Sequence, residues 1–148
     1  MKKQIKAFLG GTCNNSTWRD RLIPMLTIDY FNPVVKDWTP ECQDEEIRQR
    51  ENCDYVLYVI TPLMTGSYSI AEAVDDSNKR PDKTVFCILR DDSIEGISML
   101  PAVKSFTDGQ WKSLKMVSKM IAENGGYVAV DLIDVANYLN ENYEMVKE

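Results

Sequence analysis

Apolar residues along this chain come in short dense runs, and between the runs they thin out to the spacing of one helix face. Ile5-Lys6-Ala7-Phe8-Leu9 reads as a first strand, ended by Gly10-Gly11, and Thr12-Cys13-Asn14-Asn15-Ser16 as a polar loop. Thr17 with Asp20 three places later resembles a helix N-cap, so Trp18 to Leu26 is a first helix that Pro24 must end early or kink. Thr27 to Phe31 is a second strand, closed by Asn32-Pro33, and Val34 to Trp38 is a loop. Thr39-Pro40 opens a charged helix, Glu41 to Asn52, with acidic residues first and Arg48 and Arg50 later, as the helix dipole favours. Asp54 to Ile60 is a third strand whose part Tyr55-Val56-Leu57-Tyr58-Val59-Ile60 is the most apolar run in the chain. Such a run suits a central parallel strand covered on both faces.

Ser69 to Lys79 follows as a third helix and Lys83 to Leu89 as a fourth strand, separated by Arg80-Pro81-Asp82. Asp91 to Gly109 has no clear period and is expected to be a loop with a helical turn near Pro101-Ala102-Val103. Gln110 to Asn124 is a helix stopped by Gly125-Gly126, Tyr127 to Val130 a fifth strand, and Asp131 to Lys147 a last helix. Strand and helix alternate throughout. The expected architecture is one α/β domain over residues 1–148, a Rossmann-like, doubly wound five-stranded parallel sheet with helices on both faces.

Composition narrows the function. The net charge of −6 argues against nucleic acid as the partner, and no run approaches the length that crosses a membrane. No signal peptide is expected, and Cys13, Cys42, Cys53 and Cys87, with no C-x-x-C pair, read as free thiols in a reducing cytoplasm. The chain contains no histidine, which removes Ser-His-Asp and Cys-His catalysis and histidine metal sites together. Acid–base chemistry then falls to Asp, Glu, Tyr, Lys or Cys.

The candidate chemistry gathers at Thr61-Pro62-Leu63-Met64-Thr65-Gly66-Ser67-Tyr68-Ser69-Ile70-Ala71-Glu72-Ala73, where the buried strand turns into a helix. In parallel α/β sheets this junction lies at the carboxyl edge, where ligands bind. Glu72 is the candidate catalytic carboxylate. Ser69-x-x-Glu72 also fits a capping box, in which Glu72 would serve the backbone instead, although a cap can also hold a catalytic carboxylate. Gly10-Gly11-Thr12 lets a ligand approach the backbone closely, but lacks both the dinucleotide fingerprint and a P-loop lysine. Trp18 and Trp38 are each placed to cover a planar base or to fill the core. Asp54 reads as a strand-start residue at the far end, and Asp75-Asp76 with Lys79-Arg80 as a solvated, salt-bridged helix face.

Phe8-Leu9-Gly10-Gly11-Thr12, Trp18-Arg19, Phe31-Asn32-Pro33, Cys53 to Pro62 and Gly66-x-x-Ser69-x-x-Glu72 occur in that order. Together, over about the first ninety residues, they resemble the nucleoside 2-deoxyribosyltransferase-like family. The resemblance implies a flavodoxin-like fold and cleavage of the N-glycosidic bond of a (deoxy)nucleoside or its 5′-monophosphate, by transfer of deoxyribose between bases or by hydrolysis. Glu72 matches the family's nucleophile. Gly10, Gly11, Thr12, Gly66, Tyr68 and Ser69 are then expected to line the sugar or phosphate site, with Arg19 near a phosphate and Trp18 or Trp38 over the base. The partner implied is a small-molecule nucleoside or nucleotide, with no metal or organic cofactor, in a homodimer or larger homo-oligomer. The chain departs from the transferases at Thr65-Gly66-Ser67-Tyr68, where they carry an Asp. That departure leaves a second reading, a nucleotide-binding or sensing module of the same fold that has lost catalysis.

Overall fold

Every residue of the strand Tyr55–Ile60 is buried, and the rest of the chain is wrapped around it. A computed structural model describes residues 4–13, 15–94 and 102–147. In chain order the elements are β1 (Lys6–Gly11), α1 (Trp18–Leu22), β2 (Asp29–Phe31), α2 (Pro40–Asn52), β3 (Tyr55–Ile60) and α3 (Tyr68–Lys79), followed by β4 (Thr84–Ile88), β5 (Asp91–Ile94), β6 (Ala102–Ser105), α4 (Asp108–Glu123), β7 (Tyr127–Ala129) and α5 (Leu132–Lys147). Five strands form one all-parallel sheet in the order β2-β1-β3-β4-β7. This is the flavodoxin-like order, with its switch point between β1 and β3.

Alternation along β3 explains why the strand is apolar throughout. Tyr55, Leu57 and Val59 pack on one side with Trp18 and Leu22 of α1 and with Leu132, Val135, Ala136 and Leu139 of α5. Val56, Tyr58 and Ile60 pack on the other with Ala73 of α3 and with Leu114 and Ile121 of α4. Neither face is left to water, so successive side chains, which point to opposite faces, are all apolar save the hydroxyls of Tyr55 and Tyr58. Helix α2 buries none of its residues and starts as expected, with Pro40 in its first turn and the Thr39 side chain accepting from the Cys42 amide at 3.3 Å.

Differences from the sequence reading have local causes. Pro24 ends the first helix at Leu22, and Ile23–Met25 continues as a single 3₁₀ turn; Thr17 caps α1 without a side-chain hydrogen bond. Helix α4 starts two residues earlier than expected because Thr107 and Gln110 form a full capping box, Thr107 Oγ1 accepting from the Gln110 amide at 3.1 Å and Gln110 Oε1 from the Thr107 amide at 2.9 Å. The larger correction concerns residues 91–109. In place of a loop with a helical turn, β5 and β6 form an antiparallel pair from Asp91–Ser105 to Ile94–Ala102. Pro101, part of the expected turn, lies outside the described residues. The pair is polar and stands off the main sheet, so it has no apolar alternation to betray it. Buried Asp92 ties it to the β1–α1 loop by accepting from Ser16 Oγ at 2.6 Å.

Gly11 closes β1 with φ of 117°, and a Cβ there would lie 2.1 Å from the Val59 carbonyl oxygen. Both the backbone conformation and the space demand glycine. Gly11→Ala is expected to destabilise by about 1–3 kcal/mol from the conformation alone, with the clash in addition. Thermal denaturation beside the wild type checks this, and an unchanged midpoint would contradict it.

Candidate functional site

The site is built where β1 and β3 end side by side. Thr12 is buried there: its amide donates to the Val59 carbonyl at 2.9 Å, and its Oγ1 accepts from the Thr61 amide at 2.9 Å. Its carbonyl accepts from Trp18 Nε1 and from Arg19 Nη1, both at 2.8 Å. Arg19 also donates from Nε to the Leu9 carbonyl at 3.0 Å and from Nη2 to the Gly11 carbonyl at 3.4 Å. The turn after β1 is thus clamped from below by α1.

These bonds correct two expectations. Trp18 is fully buried in the core with its indole N–H on Thr12, so it offers no face to a base. Arg19 is also buried, its guanidinium 4.3 Å from the Trp18 ring, and its hydrogen bonds hold backbone carbonyls. Burial lowers its pKa, as expected for a cation bonded mainly to neutral oxygens. Gly10 sits one residue deeper in β1, paired with Tyr58, and is buried. Gly11 and Thr12, with Gly66, Tyr68, Ser69 and the apolar side chains of Ile60 and Met64, do line one cleft, of about 200 Å³. Across it, α3 begins at Tyr68 with Ser67 as a cap that makes no side-chain bond.

Tyr68 also borders a second cleft, of about 310 Å³, lined by Trp38, Gln43, Glu46, Ile47, Arg50 and Glu72. Here the capping-box reading of Ser69 and Glu72 fails. The helix starts at Tyr68, so Glu72 is its fifth residue and lies past the first turn that a capping side chain serves. Glu72 instead faces α2, its Oε2 3.3 Å from Arg50 Nη1, with the side chain 15% exposed.

Arg50 is anchored from behind. Its Nε and Nη2 donate to Asp76 at 3.1 and 3.0 Å, and Nη2 lies 3.5 Å from Asp75. Asp76, expected on a solvated face, is fully buried; it also accepts from the Tyr58 hydroxyl at 2.5 Å and pairs with Arg80. The solvated pair is Asp75 with Lys79, at 3.0 Å. Sequence reasoning missed Arg50, Tyr58 and Asp76. Two signals were available: Glu72 and Asp76 lie four residues apart on one face of α3, with Arg80 at the same interval just past its end, and Tyr58 is a phenol inside an apolar strand facing that helix.

Burial dominates the electrostatics of Glu72 and raises its pKa from the ordinary carboxylate range to about 7; Arg50 opposes the rise, while Glu46 and Asp76 add to it. Glu46 is raised too, by burial against the pull of Arg50. For Arg50 burial works against the charge, but the hydrogen bond to Asp76 and the fields of Tyr58, Asp76 and Glu72 outweigh it and hold the guanidinium above its usual value. Because Glu72 binds its proton more tightly folded than unfolded, its contribution to stability is full below the unfolded carboxylate pKa. That contribution is lost as pH rises toward and through about 7. Between about pH 5 and pH 8 the wild type should therefore lose more thermal stability than Glu72→Gln, and parallel curves would contradict this pKa assignment.

Fold and site define a flavodoxin-like protein with an acidic, aromatic-walled cleft beside the switch point of its sheet. The chain belongs to the nucleoside 2-deoxyribosyltransferase-like family, whose model matches residues 4–91, more than half of its length. The matched span carries β1 to β4 and every residue that lines the two clefts. No curated protein matches the chain. No helix among the described residues is long and apolar enough to cross a membrane.

Proposed function

We propose that this chain cleaves the N-glycosidic bond of a (deoxy)nucleoside or its 5′-monophosphate, with Glu72 as nucleophile, by transfer of deoxyribose between bases or by hydrolysis. One observation carries the reading. Glu72 stands early in the helix after β3, its carboxylate lining a cleft with the half-exposed aromatic rings of Trp38 and Tyr68. Those rings suit a planar base, one face of which each can cover. The sugar, with or without a phosphate, then reaches toward Gly11, Thr12, Gly66 and Ser69, since Tyr68 borders both clefts.

As the C1′–N bond lengthens the sugar becomes oxocarbenium-like, and a carboxylate on the opposite face stabilises that charge and captures C1′. Arg50 fixes the Glu72 side chain and favours its ionised form against burial. With a pKa of about 7, Glu72 gains nucleophilic form as pH rises, so kcat/KM is expected to climb through that range. The reaction requires no metal or organic cofactor. The reading includes one domain over residues 1–148 and a homo-oligomer, with Val34, Val35 and Trp38 supplying exposed apolar surface.

A chromatographic assay of purified protein with deoxynucleosides, ribonucleosides and their 5′-monophosphates, with and without a free acceptor base, tests the reading. Released or exchanged base supports it, and dependence on acceptor identifies a transferase. If a nucleotide raises the melting temperature and no substrate turns over, the binding-module reading replaces it; the absence of a carboxylate in the turn 65–68 favours that alternative.

A further inference from the structure

A carboxylate that captures C1′ must also let it go, and the charge it then regains has to be received. Glu72 presents its two oxygens unequally. Oε2 lies 3.3 Å from Arg50 Nη1, and among the described residues nothing else is in hydrogen-bond or ion-pair contact with the carboxylate. Oε1 is then the oxygen left to bond C1′, and Oε2 becomes the carbonyl oxygen of the ester, still against Arg50. The Arg50 side chain is 11% exposed, and Asp76 takes its Nε and Nη2 at 3.1 and 3.0 Å. That two-pronged grip fixes the guanidinium plane and leaves the Nη1 edge toward Glu72. Asp76 is fixed in turn by the Tyr58 hydroxyl at 2.5 Å, from the central strand. Because Asp76 remains as counter-charge, Arg50 keeps its place and its charge when Glu72 becomes a neutral ester.

We propose that Arg50, held by Asp76 and Tyr58, is the positioning residue that governs release of Glu72 from the sugar, the second half of the reaction. The inference rests on the glycosidic reading of the site. In the first step Oε1 bonds to C1′, the C1′–N bond breaks with its electron pair going to the base nitrogen, and the base takes a proton from water. The carboxylate gives up its charge here, so its attraction to Arg50 weakens. Arg50 therefore keeps Glu72 ionised beforehand but does not lower the barrier from the ionised state. In the second step the oxygen of water, or the nitrogen of an incoming base, bonds to C1′ and gives its proton to solvent. The C1′–Oε1 bond breaks with its electron pair returning to the carboxylate. Negative charge now grows beside a guanidinium already in place, between side chains 11% and 15% exposed, where such a donor counts most. Of the other titratable groups around Glu72, Glu46 on α2 and Asp75 and Asp76 on α3 are carboxyls that oppose the returning charge. Tyr58 and Arg80 are spent on Asp76, and Tyr68 borders the cleft as a phenol.

The test follows the two steps separately in wild type, Arg50→Met and Arg50→Lys, with an accepted deoxynucleoside, on the alkaline side of each chain's own rate limb. Glu72 is ionised there in all three, so the burst of base release, which reports the first step, is expected to stay within a few-fold of wild type. The deoxyribosyl group, followed by intact-protein mass after quenching, is expected to leave Arg50→Met about 10²-fold more slowly than wild type. Arg50→Lys should fall between them, since an ammonium keeps the charge but loses the fork on Asp76. The acid limb of the burst rate should also move to higher pH in Arg50→Met, which loosened packing alone does not produce. Melting temperatures check folding, and Arg50→Lys carries the comparison if Arg50→Met does not fold. Adduct decay at the wild-type rate overturns the proposal, and so does equal slowing of both steps, the mark of a merely structural role. No adduct on Glu72 in any of the three chains sinks instead the nucleophile reading on which the inference rests.

Discussion

Glu72→Ala is expected to abolish base release, lowering kcat by about 10³-fold or more while the protein stays folded. The size follows from what the side chain would do. With the carboxylate gone, no group in the cleft can trap the sugar on the face opposite the base, and Glu46, the other acid lining the cleft, faces it from α2. Folding should survive because Glu72 makes one ion pair at 3.3 Å and no cap, and Arg50 keeps its two hydrogen bonds to Asp76. Loss of a group whose pKa burial has raised also relieves a desolvation penalty at neutral pH. Chromatographic rates beside the melting temperature decide the matter: activity retained within a few-fold contradicts the nucleophile role.

Asp76→Asn is expected to have the largest effect on stability. Asp76 is fully buried and is the common acceptor of Tyr58, Arg50 and Arg80. An amide fills the same space but removes the buried charge that Arg50 and Arg80 share, and breaking a buried pair by removing one partner costs about 3–5 kcal/mol. For a chain of this length that corresponds to a fall on the order of 10 °C in melting temperature. Asp75→Asn, one residue away but solvated and paired with Lys79, is the control and should change stability by less than about 1 kcal/mol. Equal, small effects of the two substitutions would show that the Asp76 cluster is not what joins α2 to α3.

The contrast between those neighbours shows where sequence reading stops. Apolar faces located most of the sheet strands and helices, α2 was read instead from its Thr39-Pro40 start and the order of its charges, and β3 announced itself through six apolar positions covered on both sides. Pairing between β5 and β6 was not legible, since Asp91 to Ile94 and Ala102 to Ser105 are joined by backbone bonds and show no alternation of apolar and polar residues. At the site, the place of Glu72 could be read from the strand–turn–helix junction, whereas its partner could not. Arg50 lies on another helix, and a charged helix looks solvated until its neighbour is known. Arg19, expected near a phosphate, and Asp76, expected on a solvated helix face, both turned inward, Arg19 to backbone carbonyls and Asp76 to buried partners, while Trp18 took the core alternative of its two readings.

The measurement that bears most directly on the central claim is intact-protein mass spectrometry after rapid quenching with an accepted deoxynucleoside and no acceptor base. The account predicts a mass gain of one deoxyribosyl group, located by peptide mapping on Glu72 and absent from Glu72→Ala. Base release that continues in Glu72→Ala, or an adduct mapped to any other residue, would contradict it.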